Sequence, residues 1–326
     1  MQRFLQVPGP MKTLFNQFPL QTYGPVEKRD DALANEFNTL SYAFEGSDAR
    51  QKSVNDTFKL GVYKVVQDPS TGHFLASDPW CLFTQLSLCK KNKLKLSSNE
   101  NSKTATGSKT VHSHCVLELS PLASSDRFLP VLVEGYAKRH VRSAAGIYEI
   151  LSQRFSGAEE RMYSLLLDSV VYDCYMAKVL YELTTDQFLE LYGGKTSSTA
   201  VNPWICHNHR SDLSRRNDFA LRHRELVSRH SLPTVLTGRS EGIQQLLSGI
   251  DENCLRTLVQ FQDLLEKSAT EFFLGNTEPS FLDLKLTSYI YCLLLLPKHQ
   301  MSVADFLRQD CPDLIEHAQR IIQHYH

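Results

Sequence analysis

Residues 77–89, with the sequence SDPWCLFTQLSLC, predict the first helix of the fold and contain the best candidate for a reactive thiol. Asp78 followed by Pro79 is typical of a helix N-cap with proline in the first turn. One stripe of this helix is expected to face the core, and it holds Leu82, Gln85, Leu86 and Cys89. Because a cysteine near a helix N-terminus is often reactive, Cys81 has to be weighed as a nucleophile.

The segments around this helix predict a thioredoxin-like α/β unit. FKLGVYKVV (58–66), with Leu60 and Val62 alternating, and HCVLEL (114–119) have strand patterns, and FLPVLVEGYAKRHV (128–141) predicts a hairpin that turns at Glu134-Gly135. A helix follows whose inward side holds Ala144, Ile147, Leu151 and Phe155. The order strand, helix, strand, hairpin, helix is that of a thioredoxin-like unit, and in that fold the Leu129-Pro130 bond is expected to be cis.

No strand pattern recurs after Ala158. Helices are predicted at 158–181, 185–192, 215–230, 240–249, 251–270, 281–296 and 302–325, with a long loop at 193–211. Ser280 and Asp283 form a capping-box pattern before a helix that is apolar nearly all round and therefore buried, and Ser302 and Asp305 repeat the cap. We expect an α/β plus all-α chain with a glutathione-transferase-like fold: an extended segment with a short amphipathic helix (1–57), a thioredoxin-like domain (58–156) and an all-helical domain (157–326).

The N-terminal segment carries an apolar helical face. Met11, Leu14, Phe15 and Phe18 recur at the spacing of one helix face between Pro10 and Pro19. Because a helix of this length is unstable alone, the face has to dock, either on the chain's own core or on a partner protein. Together with Tyr23, these residues are the predicted partner-binding segment.

Composition excludes several classes of function. The 326 residues hold 35 basic and 36 acidic side chains, so the net charge of -1 gives no reason to expect nucleic acid as a partner. The eight cysteines form no C-x-x-C pair, which indicates a reducing compartment. No secretory signal or membrane-spanning run is apparent, and the longest apolar run, Tyr289 to Leu296, is far shorter than the roughly 20 residues a spanning helix needs.

The residues around Cys81 argue against thiol chemistry. Asp78 stands where a thioredoxin-like nucleophile is expected, and its carboxylate would raise the pKa of the nearby thiol rather than lower it. Arg142-Ser143 also departs from the acidic or amide residue followed by serine with which glutathione transferases hold the γ-glutamyl group. We therefore expect no catalytic residue and no cofactor. A glutathione-dependent transferase or thiol reductase stays the alternative.

Two further clusters have competing interpretations. His112, His114 and Cys115, and Cys206, His207 and His209, are suitable zinc ligands, but neither set has finger spacing, so no metal is expected. The 210–230 stretch is rich in arginine and fits either a solvated helix face with internal ion pairs or a docking surface for acidic partners or lipid headgroups. Its candidate binding residues are Arg215, Arg216, Arg222 and Arg224.

Several pieces of the chain together resemble the metaxin family, in its fungal metaxin-2-like branch. These pieces are VPGPMKTLFNQFPLQTY, FKLGVYKV, SDPWCLFTQLSLC, LPVLVEGYAKR, RNDFALRHRE and PSFLDLKLTSYI. The resemblance implies a non-enzymatic, peripheral subunit on the cytosolic face of the mitochondrial outer membrane, held there mainly through partners. The implied partners are the barrel-forming core subunit of the sorting and assembly machinery, a second metaxin-like subunit, and β-barrel precursors recognised through their β-signal.

Overall fold

The computed structural model describes residues 40–46, 57–98, 114–135, 139–230, 241–297 and 302–326, with a few isolated positions before residue 40. The chain divides into two units, Met1–Thr39 and Leu40–His326, and the description below concerns the second. Its strands are β1 (Ser41–Ala43), β2 (Thr57–Val62), β3 (Val65–Gln67), β4 (Phe74–Ala76), β5 (His114–Glu118), β6 (Val131–Gly135) and β7 (Arg139–Arg142).

Five strands form one sheet in the order β1-β5-β2-β6-β7. Strand β2 is parallel to β5 and antiparallel to β6, and β7 closes the sheet as the antiparallel partner of β6. The order β5-β2-β6-β7, with helix α1 (Pro79–Asn92) between β2 and β5 in the chain, is that of a thioredoxin-like unit. This confirms the predicted α/β half.

The other regular elements of the described chain are helices. They are α2 (Ala144–Ser152), α3 (Ala158–Leu166), α4 (Tyr172–Ala177), α5 (Thr185–Tyr192), α6 (Val201–Arg215), α7 (Phe219–Arg222), α8 (Arg224–His230), α9 (Glu241–Glu266), α10 (Phe281–Leu295), α11 (Ser302–Asp310) and α12 (Pro312–His324). Two π-helical stretches, Leu167–Val171 and Lys178–Glu182, join α3 to α4 and extend α4. A thioredoxin-like sheet followed by an all-helical half is the glutathione-transferase fold, as the sequence predicts.

Helix α10 is the centre of the helical half. Ser280 caps it and forms a capping box with Asp283, and nearly every side chain from Leu282 to Leu293 is buried. The helix packs against α1 on one side and α12 on the other, which places the core between the two halves. The Leu129-Pro130 bond is cis, as expected. Within the described ranges, no helix combines the length and the apolar character that crossing a bilayer requires.

Some boundaries differ from the prediction. Residues 201–215 are helix α6 and not part of a loop, because Pro203 lies in the first helical turn, where its missing N–H costs nothing. Residues 241–266 form one helix, with Gly249 inside it. The last predicted helix is two, since Pro312 begins a new helix directly after Cys311.

Two strand features were also missed. Residues 41–43, which the prediction assigned to the extended segment 1–57, add strand β1 to the sheet. The hairpin of β3 and β4 lies between β2 and α1 and forms its own two-stranded sheet.

Candidate functional site

The N-terminus of α1 is where a thioredoxin-like protein would carry its nucleophile. Here Asp78 is the N-cap, and its Oδ1 accepts hydrogen bonds from the backbone N–H groups of Trp80 (3.1 Å) and Cys81 (3.3 Å). The carboxylate is fully buried, as is Cys81. The predicted cap is therefore confirmed, and the position is occupied by a helix-capping acid.

An arginine from the helical half neutralises this buried carboxylate. Arg216 donates from Nη1 to Oδ1 (3.1 Å) and from Nη2 to Oδ2 (2.7 Å) of Asp78, which is a bidentate ion pair. Its Nε donates to the hydroxyl of Tyr172 (3.0 Å), and the hydroxyl of Tyr192 donates to Asp78 (3.1 Å). The guanidinium also lies over the Trp80 ring at 5.1 Å, and both side chains of the pair are at most 1% exposed.

The backbone after α6 turns Arg216 inward. Asn217 and Asp218 both have positive φ (53° and 54°), an uncommon conformation for residues other than glycine, and asparagine and aspartate are the types that tolerate it best. The side-chain amide of Asn217 donates to the carbonyl of Asp168 (2.8 Å), which holds the turn in place. The turn formed by Asn217 and Asp218 therefore directs the side chain of Arg216 into the core.

This environment makes Cys81 unreactive. Burial raises the pKa of the Cys81 thiol well above its ordinary value, and the neighbouring Asp78 carboxylate raises it further. A thiol held in its neutral form is a poor nucleophile, because the thiolate is the attacking species. The expected structural role of Cys81 agrees with its complete burial.

A second buried ion pair closes the cleft between the two halves. Lys285 on α10 contacts Asp168 (2.5 Å) and donates to the hydroxyl of Ser164 (2.8 Å). The hydroxyls of Tyr148 and Tyr289 also donate to Asp168. Burial lowers the pKa of Lys285, while the attraction of Asp168 opposes that shift.

The space left in this cleft is small. Its lining includes Trp80, Pro130, Tyr148, Lys285 and Tyr289, and its volume is about 10 Å³. A single water molecule needs roughly that much room, whereas pockets for small-molecule ligands measure several hundred cubic ångströms. The cleft therefore has no space for a tripeptide such as glutathione.

Arg142 and Ser143 stand at the position where glutathione transferases hold the γ-glutamyl group, and their surroundings differ. Arg142 donates from Nε to Oε2 of Glu134 at 2.6 Å. Ser143 is the N-cap residue of α2 and its side chain makes no capping hydrogen bond.

The four predicted partner-binding arginines have different surroundings. Arg216 was expected on a docking surface; that prediction is wrong, because its side chain is 1% exposed and pairs with Asp78. Arg222 forms a bidentate pair with Asp173 (2.9 and 2.6 Å) and is one-third exposed. Arg215 and Arg224 are exposed, with Arg215 contacting Asp212. Exposure keeps those two available for a partner.

The remaining predicted residues are not brought into this site. Met11, Leu14, Phe15, Phe18 and Tyr23 lie outside the described residues. Of the candidate zinc ligands, His112 is also outside them, His114 stacks on Phe58 at 4.4 Å, and Cys206 is buried in α6. No group of three or more metal-binding side chains is assembled in the part of the chain that the structure describes.

Sequence reasoning missed the partners of the two buried acids. Lys285 gave a usable signal, since it is the single cation within the otherwise apolar run FLDLKLTSYI of a buried helix. Arg216 gave none, because it is one of six arginines in a polar stretch and only the turn at Asn217 and Asp218 distinguishes it.

A family model and a curated relative both match this chain, and they name the same protein family. The family described as SAM35, subunit of the SAM complex, matches residues 5–134. The sorting assembly machinery 35 kDa subunit of Saccharomyces cerevisiae is 37% identical over 98% of this chain and 98% of its own length.

Solved structures with a similar course of the chain include a glutathione S-transferase of Ceriporiopsis subvermispora, with 11% identity and a TM-score of 0.46, covering 83% of this chain and 98% of that one. A beta-etherase of Sphingobium is 12% identical with a TM-score of 0.42, covering 82% of this chain and 98% of that one. The identity to the yeast protein along nearly the whole of both chains, rather than these distant structures, shows the relationship. The chain belongs to the family of the sorting assembly machinery 35 kDa subunits.

Proposed function

We propose that this chain is a non-enzymatic, peripheral subunit of the sorting and assembly machinery of the mitochondrial outer membrane. In this proposal it covers the barrel-forming core subunit on the cytosolic side, beside a second metaxin-like subunit. There it helps to recognise the β-signal of precursors before they are inserted into the membrane. The identity to the yeast subunit supports the assignment to the machinery.

The observation that carries the non-enzymatic assignment is the buried pair of Asp78 and Arg216. It occupies the position at which a thioredoxin-like enzyme presents its nucleophile, and both side chains are at most 1% exposed. Together with a cleft of about 10 Å³, this argues against glutathione binding and thiol exchange at this position of the fold. The fold supports a binding role in which its outer surfaces, and not its cleft, meet other proteins.

Two surfaces are proposed to make those contacts. The first is the apolar N-terminal segment with Met11, Leu14, Phe15, Phe18 and Tyr23. The second is the exposed arginine surface of α6 and α8, represented by Arg215 and Arg224, which suits an acidic partner or anionic headgroups. Membrane association is proposed to arise mainly through the partner subunits.

Affinity isolation tests the assignment to the machinery. The full chain, carrying an affinity tag, is purified from detergent-solubilised mitochondria and its partners are identified by mass spectrometry. We expect a barrel-forming outer-membrane protein and a second metaxin-like protein in near-equal amounts. Their absence, with the tagged chain intact and folded, would contradict the proposal.

Two variants then locate the contacts. Deletion of residues 1–24 is expected to release the chain from the complex while the remaining protein stays folded. Arg215→Glu with Arg224→Glu is expected to weaken association in a salt-dependent way, whereas Glu225→Gln, an uncharged replacement on the same surface, serves as the control. Full co-purification of the deletion variant would show that the N-terminal segment is not the docking element.

The enzyme alternative has its own test. A purified sample is applied to immobilised glutathione and assayed with a chromogenic thiol acceptor. We expect neither retention nor turnover. Activity that is lost in Cys81→Ala would overturn the non-enzymatic assignment.

A further inference from the structure

The sheet ends at two strands in the part of the chain that the structure describes, β1 and β7. Strand β1 is three residues long, and all three are half-buried. On β7, by contrast, the side chains of His140 and Val141 are exposed, and no described strand lies on its outer side. Of the two sheet edges in the described part of the chain, β7 is therefore the one with the more exposed side chains.

The strand register shows which backbone groups of β7 point outward. The carbonyl of Val62 accepts a hydrogen bond from the N–H of Leu119 after β5. The main-chain N–H and C=O groups of every second residue of β2, counted back from Val62, are therefore directed toward β5. Lys59 and Gly61 then face β6, where they pair with Val133 and Val131.

The alternation continues across the sheet. Because Val131 and Val133 face β2, Leu132 and Glu134 face β7 and pair with Arg142 and His140. The N–H and C=O groups of the intervening residues of β7, Arg139 and Val141, are directed away from the sheet. They form a short row of main-chain donors and acceptors that another strand can complete.

The side chains of this edge only partly match those that proteins place on edges to prevent pairing, since its two arginines are charged residues of that kind and Val141 is not. Val141 is apolar and 53% exposed, although natural edge strands usually avoid exposed apolar residues. The strand is also positively charged, since its sequence is RHVR. The nearby acid, Glu134, contacts Arg142 (2.6 Å) and lies 3.7 Å from His140, so cationic groups outnumber it.

We propose that β7 is the strand on which the precursor segment is received, through antiparallel or parallel main-chain pairing with Arg139 and Val141. This inference rests on the proposed function and names its binding edge. Its ligand is an extended segment with apolar residues at every second position, one of which packs on Val141, and with a carboxylate that the cations of β7 attract. A second copy of this chain fits less well, because pairing two β7 strands would place their arginines and histidines together.

The test uses a matched pair of proline variants in the full chain. Val141→Pro removes an outward N–H without touching the β6–β7 hydrogen bonds, and edge strands tolerate proline at such positions. Ala43→Pro removes an outward N–H on the opposite edge. Leu40 and Phe44 form backbone hydrogen bonds to β5, and because alternate residues of a strand face opposite sides, Ala43 faces outward. Binding of a fluorescent peptide with the sequence of the C-terminal strand of a mitochondrial β-barrel protein is followed by anisotropy. Val141→Pro is expected to weaken it about tenfold and Ala43→Pro to leave it unchanged.

Each outcome has a distinct meaning. If the wild-type chain does not bind the peptide, the proposed recognition of precursors fails and the inference fails with it. If the peptide binds but Val141→Pro has no effect, or Ala43→Pro has the larger one, the edge assignment is overturned while precursor recognition stands.

A second experiment covers the case in which a proline variant does not fold. A photo-crosslinking amino acid is placed at position 141 or 43 of the chain in mitochondria that hold an arrested β-barrel precursor. Crosslinks to the precursor from position 141 are expected. Crosslinks only from position 43, or from position 141 only to a second copy of this chain, overturn the inference.

Discussion

Replacing Arg216 by methionine should destabilise the fold strongly, although the change is conservative in length. The variant leaves the Asp78 carboxylate with 0% exposure and removes its two guanidinium hydrogen bonds (2.7 and 3.1 Å). The carboxylate keeps the Tyr192 hydroxyl and two backbone N–H groups, which satisfy its oxygens but do not neutralise its charge. Removing one partner of a buried ion pair costs about 3–5 kcal/mol, so we expect a loss in that range.

Urea denaturation followed by circular dichroism measures this loss. With a slope of about 3 kcal/mol/M for a chain of this size, the unfolding midpoint should fall by about 1 to 1.7 M. The adjacent residue provides a matched control, since the Arg215 side chain is 63% exposed. Arg215→Met should change the free energy of unfolding by no more than about 1 kcal/mol.

A double variant separates the buried charge from simple loss of packing. Asp78→Asn retains a helix-capping side chain while removing the charge. Combined with Arg216→Met, it should recover at least half of the stability that the arginine substitution alone removes. If Arg216→Met is as stable as Arg215→Met, or if the double variant is no better than the single one, the buried ion pair does not hold the two halves together.

Three further outcomes are expected. Lys285→Met leaves Asp168 buried with the hydroxyls of two tyrosines, so it should cost about 3 kcal/mol in the same titration, and an unchanged midpoint would show that the charge of Lys285 is dispensable. Burial lowers the pKa of His73 below 6.5. The unfolded chain therefore binds more protons than the folded chain at mildly acidic pH. The melting temperature should fall as the pH is lowered from about 7 to about 5, and it should fall less in His73→Asn. All eight cysteines are buried, so a thiol reagent at about pH 8 should modify them only on unfolding, and fast reaction of Cys81 in the native protein would contradict its assignment.

The local elements of this fold could be predicted because their causes are local. Asp78 before Pro79, and Ser280 with Asp283, satisfy the first N–H groups of their own helices, and these contacts need only neighbouring residues. The predicted loop at 193–211 is wrong from residue 201 onward, where helix α6 begins with Pro203 in its first turn.

Side-chain partners over long sequence distances could not be predicted in the same way. The six arginines of the 210–230 stretch look alike in sequence, yet Arg216 is buried and Arg215 is exposed. Their difference comes from two residues with positive φ and from a carboxylate 138 positions earlier in the chain. The same holds for the free edge of the sheet, since strand order depends on which strands pair and not on any one segment.

By itself, the sequence determined the class of the fold, the aspartate that caps α1 and the relationship to the sorting assembly machinery 35 kDa subunits, because caps, periodicity and motif residues are local properties of the chain. The tertiary structure alone decided that Arg216 neutralises Asp78, that Lys285 and two tyrosines fill the cleft, and that β7 is the more exposed of the two described sheet edges. The first two depend on burial, because a charge is buried only where folding brings a distant partner within hydrogen-bonding distance, and the third depends on which strands pair.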